Sequence, residues 1–221
     1  MEYSYVRVLG VYRRENYIQL YLDRPNGFPI VPISLYELQY DDKSIILPIA
    51  NGNNIKCLRF IIPRNKKTFW VDKLTERDMI KISKSPMISI GNFTPTDKDI
   101  FLAYGEGISH FTTYFSNPDY IVPNKLFYEV KHLTDCFELP LIGAVMKDNY
   151  KVYISGNILS FQAKAIKSNE SLNKFVKLGA VINSLSVPTG SVVYVSGATK
   201  RTLNRLATKG ISYIVLPTSL S

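Results

Sequence analysis

The residues best suited to chemistry lie in the stretch NPDYIVPNKLFYEVKHL, which carries Asp119, Glu129 and Lys131. Apolar, strand-like segments flank Pro123–Lys125, so the sequence predicts a β-hairpin with a three-residue turn centred on Asn124. In that register Asp119 lies directly opposite Glu129, with Cβ atoms roughly 4.5 to 5.5 Å apart. Lys131 follows two residues after Glu129, and the pleat places it on the same face.

Two carboxylates and a lysine on one face can support phosphodiester hydrolysis. Carboxylate oxygens bind hard divalent cations such as Mg²⁺ or Mn²⁺. The bound cation activates a water and stabilises charge on the phosphoryl oxygens. We therefore expect Asp119, Glu129 and the backbone carbonyl of Val130 to bind the metal, and Lys131 to orient the attacking water. An ordinary surface ion-pair cluster is the alternative.

The pair Pro118-Asp119 followed by Glu129-Val130-Lys131 resembles the signature of the PD-(D/E)XK nuclease superfamily. The later order of helix, VVYVSG, basic helix and ISYIVLP is also similar to the closing half of that fold, including the branch with archaeal Holliday junction resolvases. The resemblance covers the chain from about residue 94 to its end. It implies an α/β (α+β) fold with a restriction-endonuclease-like mixed sheet flanked by helices. It also implies the same metal ligands and catalytic lysine.

Nucleases of this type usually carry a further acidic residue on a helix before the hairpin, and we assign that role to Glu106 in the segment YGEG. The flanking glycines would let a backbone or substrate approach. Alternatives at other distances are Asp97, Asp99 and Glu76. On the helix expected after the hairpin, Gln162 or Lys164 would face the substrate.

The chain is strongly basic, with 27 Lys and Arg against 18 Asp and Glu and a formal net charge of +9. Beyond residue 140 its acidic residues are Asp148 and Glu170 alone. A concentrated positive field favours a phosphate backbone as ligand. The expected nucleic-acid contacts are Lys200, Arg201 and Arg205 in one basic helix, together with Lys164. A basic surface with no ligand is the alternative.

The elements that must position these residues fall into two parts. In the first, SYVRVLGVY, NYIQLYL, SIILPI and IKCLRFII are predicted strands, KLTERDMIKISKS a helix capped by Thr75, and MISIG a strand. In the second, a helix is predicted from Thr94, then a strand at SHFTTYF, the hairpin described above, and another hairpin joining PLIGAVM to KVYISG. A helix over about 157 to 185, strand SVVYVSG, helix ATKRTLNRLATKG ending at Gly210, and strand ISYIVLP complete the prediction.

These patterns predict a β-rich domain over 1–92, which helps bind substrate or a partner, and a nuclease-like domain over 93–221. The expected activity is that of a metal-dependent DNA endonuclease acting on duplex or branched DNA, as a homodimer. A non-catalytic nucleic-acid-binding protein on the same fold is the first alternative. A metal-independent RNA-processing nuclease that uses Tyr, His and Lys is the second. His110 is a candidate general base, and a packing or surface role is its alternative. Without an apolar span or signal segment, an intracellular, cytoplasmic protein with no membrane partner is expected.

Overall fold

The computed structural model describes residues 2–51, 56–90, 93–117, 119–154, 182–183 and 185–218, and the backbone of 172–173. Its contacts divide the chain into two compact units. Unit 1 comprises Met1–Phe93, Ser109–Tyr120 and Pro217–Ser221, and unit 2 comprises Thr94–Ile108 and Ile121–Leu216. The units are therefore interleaved in sequence, whereas the predicted division was 1–92 and 93–221; that division and the binding role of 1–92 stay predictions.

Unit 1 contains an antiparallel sheet in the order β4-β3-β6-β1-β2-β5, with β7 paired to β3. Its strands are β1 Tyr3–Arg13, β2 Tyr17–Asp23, β3 Ser34–Tyr40, β4 Lys43–Pro48, β5 Cys57–Pro63, β6 Met79–Ser83 and β7 Ile88–Ser89. The end strands β4 and β5 contact each other. Just beyond β4, the Ala50 amide donates to the Arg59 carbonyl of β5 at 2.7 Å. The sheet is therefore a nearly closed barrel.

Side chains alternate along these strands with the period of two that β structure requires. In β1, for example, Val6 and Val8 are buried while Tyr5 is 66% exposed. The inward positions of the other strands are equally apolar and almost fully buried: Ile18, Leu20, Leu22, Tyr36, Leu38, Ile45, Leu47, Leu58, Phe60, Ile62, Ile80 and Ile82. Side chains thus fill the barrel interior, as in other small barrels.

The helix predicted over KLTERDMIKISKS is wrong, because its second half is strand β6. The Asp78 carboxylate accepts hydrogen bonds from the Thr75 amide at 2.6 Å and the Thr75 hydroxyl at 3.0 Å. This side-chain bonding closes a tight turn, which competes with helix formation. Beyond the turn, Ile80 and Ile82 alternate into the barrel core.

Helix α1, Ile108–Phe115, occupies the segment SHFTTYF that was predicted to be a strand. Its hydroxyls bond to backbone carbonyls of unit 1. The Thr113 hydroxyl donates to the Ile49 carbonyl, and Ser116 Oγ donates to the Asn51 carbonyl at 2.8 Å. These bonds satisfy the polar side chains of a buried helix. The alternating polar residues of the segment were therefore misleading, because they do not form the exposed face of a strand.

Unit 2 contains a fully parallel sheet in the order β11-β10-β9-β8-β12-β13. Its strands are β8 Ile100–Tyr104, β9 Lys125–Val130, β10 Tyr150–Ile154, β11 Leu172–Asn173, β12 Val193–Ser196 and β13 Tyr213–Val215. Helices α2, Leu139–Met146, and α3, Lys200–Thr208, belong to the same unit. No helix in the described ranges is long and apolar enough to cross a membrane.

The helix predicted from Thr94 is wrong, since Ile100–Tyr104 is the central strand β8. Its residues Ile100, Phe101, Leu102 and Ala103 are all fully buried. A central parallel strand is covered on both faces, so it appears in sequence as a continuous apolar run. Such a run does not show the alternation that identifies a half-exposed strand.

The two hairpins predicted in the second half are also wrong. Strand β9 pairs in parallel with β8 and β10, and residues 119–124 form no strand. PLIGAVM lies in α2, so it cannot pair with β10. The helix predicted over 157–185 falls almost entirely outside the described residues, as do Pro118, Gln162 and Lys164. The fold is an antiparallel barrel with a parallel α/β sheet, and not a restriction-endonuclease-like mixed sheet.

Candidate functional site

The strand order of the parallel sheet reverses at β8. Strands β8, β9 and β10 follow one another to one side, and β12 and β13 are then added on the other side of β8. In open parallel sheets, ligands bind outside the carboxyl ends of the strands at such a reversal, where neighbouring connections diverge and leave a crevice. The candidate site therefore lies at the ends of β8 and β12, in segments 104–108 and 196–199.

Two glycines bring these segments into backbone contact. A Cβ on Gly107 would lie 2.5 Å from the carbonyl oxygen of Ser196, and a Cβ on Gly197 would lie 2.4 Å from the carbonyl oxygen of Tyr104. Gly197 also has φ of 75°, and Gly105 has φ of 52°, both in the left-handed region that favours glycine. Each segment thus presents a glycine to the backbone of the other.

A buried hydroxyl lies beside this contact. Ser196 is fully buried, and its Oγ lies 2.8 Å from where a Gly107 Cβ would be. Neither Ser196 Oγ nor the Tyr104 hydroxyl has a hydrogen-bond partner among the described residues. A buried polar atom without a partner costs about 1 to 3 kcal/mol. Because Thr202 lies near the Tyr104 phenol, the Ser196 hydroxyl is the better indication of where a polar ligand would be bound.

Helix α3 begins directly after β12, so its amino end lies at the same edge of the sheet. Thr199 caps it, its side chain accepting a hydrogen bond from the Thr202 amide at 3.3 Å. Lys200 and Arg201 occupy the first turn, with no acidic residue beside them. Cations are unfavourable near the positive end of a helix dipole unless an anion is bound there. Together the amides and cations suit a phosphate group.

Tyr104 and Glu129 form part of a row across three strands at this edge. Glu129 of β9 is the register partner of Tyr104 on β8 and of Tyr153 on β10. Burial raises the pKa of the Tyr104 phenol to about 12. Thr202 lies near the phenol without a hydrogen bond of normal geometry, and it opposes the shift in pKa, as does Arg205. The negative charge of Glu129 adds to the rise.

The structure lacks the strand register that was predicted to bring Asp119, Glu129 and Lys131 together. The Asp119 amide donates to Asn117 Oδ1 at 3.1 Å in a segment without strand structure, whereas Glu129 lies in β9 and Lys131 directly follows that strand. The hairpin that was to pair them is absent. Within the described ranges, no group of three or more His, Cys, Asp or Glu side chains could hold a metal. The catalytic and metal-binding roles predicted for these residues stay untested, but the hairpin on which the prediction was based is not formed.

The other residues predicted for the nuclease site lie in different parts of the described structure. Glu106 lies between Gly105 and Gly107 in the short 3-10 turn at the end of β8, inside the candidate site. Lys200, Arg201 and Arg205 lie in α3 at its edge. The fallback Asp99 is buried, and its carboxylate accepts from the Thr96 amide at 2.7 Å and the Val192 amide at 2.6 Å. It therefore has a structural role.

Sequence reasoning missed Ser196 and Gly197. The available signal was the pattern Gly-x-Gly immediately after the apolar run IFLAY, which is typical of a phosphate-binding loop that follows a strand. The sequence pattern predicts a helix before the glycines of YGEG, whereas the structure has strand β8 there. Without β8 as a strand, the Gly-x-Gly pattern had no structural context.

A shallow cavity of unit 2 lies elsewhere. It is lined by residues that include Pro188, Ser191, Lys209 and Ser212. Ser191 and Ser212 precede β12 and β13, so the cavity is at the amino ends of these strands. Ligands of open parallel sheets bind at the opposite ends, and we therefore do not place the site there.

The architecture places the chain in the class of folds that combine a nearly closed antiparallel barrel with an open parallel sheet. No protein-family model and no curated protein sequence matches the chain. Several solved structures share the fold. A ferredoxin NADP+ reductase from Neisseria gonorrhoeae with bound FAD and NADP matches with a TM-score of 0.75 and 11% identity, over 97% of this chain and 98% of that one.

Two further structures agree. The cytochrome b5 reductase domain of Ulva prolifera nitrate reductase matches with a TM-score of 0.68 and 10% identity, over 97% of each chain. A cytochrome P450 reductase from Amycolatopsis matches with a TM-score of 0.70 and 12% identity, over 97% of this chain and 69% of that one. At such identities the likeness concerns the fold alone.

This likeness overturns the nuclease hypothesis. The chain does not have the PD-(D/E)XK fold, so the resemblance carried by Pro118-Asp119 and Glu129-Val130-Lys131 is coincidental. The predicted DNA endonuclease activity, the Mg²⁺ or Mn²⁺ cofactor, the DNA partner and the homodimer needed to cut it lose their basis. So does the alternative of a nucleic-acid-binding protein on a nuclease-like fold.

Proposed function

We propose that the chain is an oxidoreductase module that binds a nicotinamide dinucleotide at the carboxyl ends of β8 and β12. The observation that carries the proposal is the reciprocal backbone contact of Gly107 with Ser196 and of Gly197 with Tyr104, at the reversal of strand order. Glycines at this position let backbone amides approach a pyrophosphate. The solved reductase with bound FAD and NADP, which shares the fold over nearly its whole length, supports the proposal.

The residues of the site fit a pyrophosphate. The 105–107 turn offers backbone amides without side chains in the way, apart from Glu106. The buried Ser196 hydroxyl can donate to a phosphate oxygen, and Lys200 and Arg201 can neutralise its charge. A bound nicotinamide supplies or accepts a hydride. The chain's own contribution is to bind the phosphates and fix the position of the ring.

A flavin fits the described residues of unit 1 less well. The barrel interior is filled by apolar side chains. The buried Tyr36 hydroxyl is already satisfied, since it donates to the Pro29 carbonyl at 2.8 Å and accepts from the Val31 amide at 3.0 Å. Of the described glycines of this unit, Gly10 would meet only the Tyr12 ring and Gly27 meets nothing within 4 Å. We therefore assign no step to a flavin.

Calorimetric titration of the full chain with NADH and with NADPH tests the binding proposal. We expect saturable binding of at least one of them, weakened about tenfold or more by the double substitution Lys200→Ala/Arg201→Ala, because two charge-assisted contacts are lost. The matched control is Lys66→Ala/Lys67→Ala, which removes the same charge from an exposed segment of unit 1. Its affinity is expected to stay within about twofold.

The proposal would be contradicted if neither NADH nor NADPH binds. It would also be contradicted if the two double variants lower the affinity equally. The redox part is tested by following oxidation of the reduced dinucleotide with ferricyanide, with and without added FAD. Two ferricyanide ions are reduced for each dinucleotide oxidised, and one proton is released. Turnover in either arm supports an oxidoreductase. Binding without turnover in both arms would limit the function to dinucleotide binding.

A further inference from the structure

Glu129 occupies a distinctive place in the parallel sheet. It is the next-to-last residue of β9, the strand adjacent to β8, and it pairs in register with Tyr104 at the end of β8. Register partners on neighbouring strands project from the same face of the sheet. The carboxylate therefore lies at the edge of the candidate site, beside the strand that leads into the 105–107 turn.

Its neighbours shield this carboxylate in part. Tyr153 of β10, the register partner on the other side, is 3% exposed, and Glu129 itself is half-buried. Glu129 is the register partner of Tyr104, and its negative charge adds to the rise in the pKa of the Tyr104 phenol. A partly desolvated carboxylate forms stronger hydrogen bonds than one in water, and it repels a second anion more strongly.

The spacing along the chain agrees with the position in space. Glu129 follows Gly107 by 22 residues, from 129 minus 107. Apart from the two-residue edge strand β11, the strands β10-β9-β8-β12-β13 have the order 3-2-1-4-5 of the doubly wound dinucleotide-binding sheet. In such sheets, an acidic residue about 20 residues beyond the glycine turn, at the end of the second strand, accepts hydrogen bonds from the ribose 2′-hydroxyl.

We infer that Glu129 makes the site selective for a dinucleotide with a free ribose 2′-hydroxyl, NADH, over the 2′-phosphorylated NADPH. The inference rests on the proposed function, because it names which dinucleotide that same site takes. The carboxylate accepts a hydrogen bond from the 2′-hydroxyl, whereas it repels a 2′-phosphate in the same place. Glu129 contacts the ribose and takes no part in hydride transfer.

Two nearby cations are the side chains that would give the opposite preference, for a 2′-phosphate. Arg205 of α3 acts on Tyr104 in the direction opposite to Glu129. Lys131 is exposed just beyond the end of β9. If either cation reached the ribose in place of the carboxylate, the site would prefer the 2′-phosphate. Selectivity therefore distinguishes the two arrangements directly.

The test compares dissociation constants of ADP-ribose and its 2′-phosphate, and of NADH and NADPH, in the wild type and in Glu129→Gln, Lys131→Ala and Arg205→Ala. The first pair lacks the nicotinamide, so it reports on the ribose end of the site without any redox step. We expect the wild type to bind the non-phosphorylated ligand at least about tenfold more tightly, and Glu129→Gln to reduce that ratio about tenfold. The amide keeps the size of the side chain but removes its charge.

Lys131→Ala and Arg205→Ala are expected to leave the preference on the side of the non-phosphorylated ligand. A wild type that prefers the phosphorylated ligand would overturn the inference, as would a Glu129→Gln variant with an unchanged ratio. So would a loss of affinity confined to the phosphorylated ligand in Lys131→Ala or Arg205→Ala. Failure of the wild type to bind any of the four ligands overturns the proposed function itself, so the two failures are distinguishable.

Discussion

Replacing Gly197 with alanine is expected to lower the free energy of unfolding by about 3 kcal/mol or more. The added Cβ would lie 2.4 Å from the Tyr104 carbonyl oxygen and 3.3 Å from its carbonyl carbon, both backbone atoms of a central strand. The residue also has φ of 75°, which is unfavourable for any side chain. Urea unfolding followed by circular dichroism measures the loss, and the same variant should bind dinucleotide more weakly.

Two other glycines distinguish the cost of the steric contact from the cost of the left-handed backbone conformation. Gly190 and Gly210 also have positive φ, of 79° and 65°, but a Cβ there would meet nothing within 4 Å. Their alanine variants should cost only about 1 to 2 kcal/mol. Gly107→Ala has the contact with Ser196 without the left-handed φ, so its cost isolates the close approach. Equal costs at Gly197 and Gly210 would show that the two segments do not touch in solution.

A second large effect is expected from His110, whose burial lowers the pKa of its imidazole from 6.5 to about 4. The side chain is 1% exposed, and its Nε2 lies 2.5 Å from the Pro217 carbonyl oxygen, a contact that partly opposes the shift. Between pH 6.5 and 4 the unfolded chain binds a proton that the folded chain does not. The contribution is therefore fully present above pH 6.5 and is lost as the pH falls towards 4, by about 3 kcal/mol.

Unfolding free energies of the wild type and of His110→Gln, measured at several pH values across this range, test the expectation. Glutamine can donate to the Pro217 carbonyl but does not titrate. Carboxylates titrate in both proteins, so the difference in slope between them isolates the imidazole. The variant should lose less stability on acidification. Parallel curves for the two proteins would contradict the low pKa of His110.

The barrel strands were largely predictable because their inner and outer positions differ. In β1 and β2, buried Val6, Val8 and Leu20 alternate with more exposed residues, and the sequence shows that period directly. Helix α3 was predictable for a similar reason: Thr199 caps it, and Gly210 ends it in the left-handed conformation. Local chemistry determined these elements, so a single sequence was sufficient to predict them.

The parallel sheet was not predictable in the same way. Its central strand β8 is buried on both faces, which removes alternation from its sequence. Its partner β12 follows about ninety residues later in the chain, and no local pattern indicates that pairing. The segment 119–130 resembled a hairpin because an apolar stretch, a turn and a strand follow one another, whereas strand β9 pairs elsewhere.

Some residues of the candidate site could be recognised from the sequence. The glycines of YGEG and the cations of α3 stood out, and both were noted as suited to binding phosphate or a close backbone. The predicted ligand, DNA, was wrong because the chance pattern of Asp119, Glu129 and Lys131 matches a nuclease signature. The role of Gly197 follows only from the backbone of Tyr104 lying against it, which is a contact between distant parts of the chain.

The reciprocal glycine contact also affects the order of events during synthesis. Gly107 and Gly197 are separated by 90 residues, from 197 minus 107. Contacts of such separation form late, because the intervening chain must first be made and brought together. While β12 is still inside the ribosome, the emerging chain contains the 105–107 turn but not segment 196–199, which packs against it. A nascent chain stalled before residue 190 should therefore be unable to bind a dinucleotide, even if its barrel has already folded.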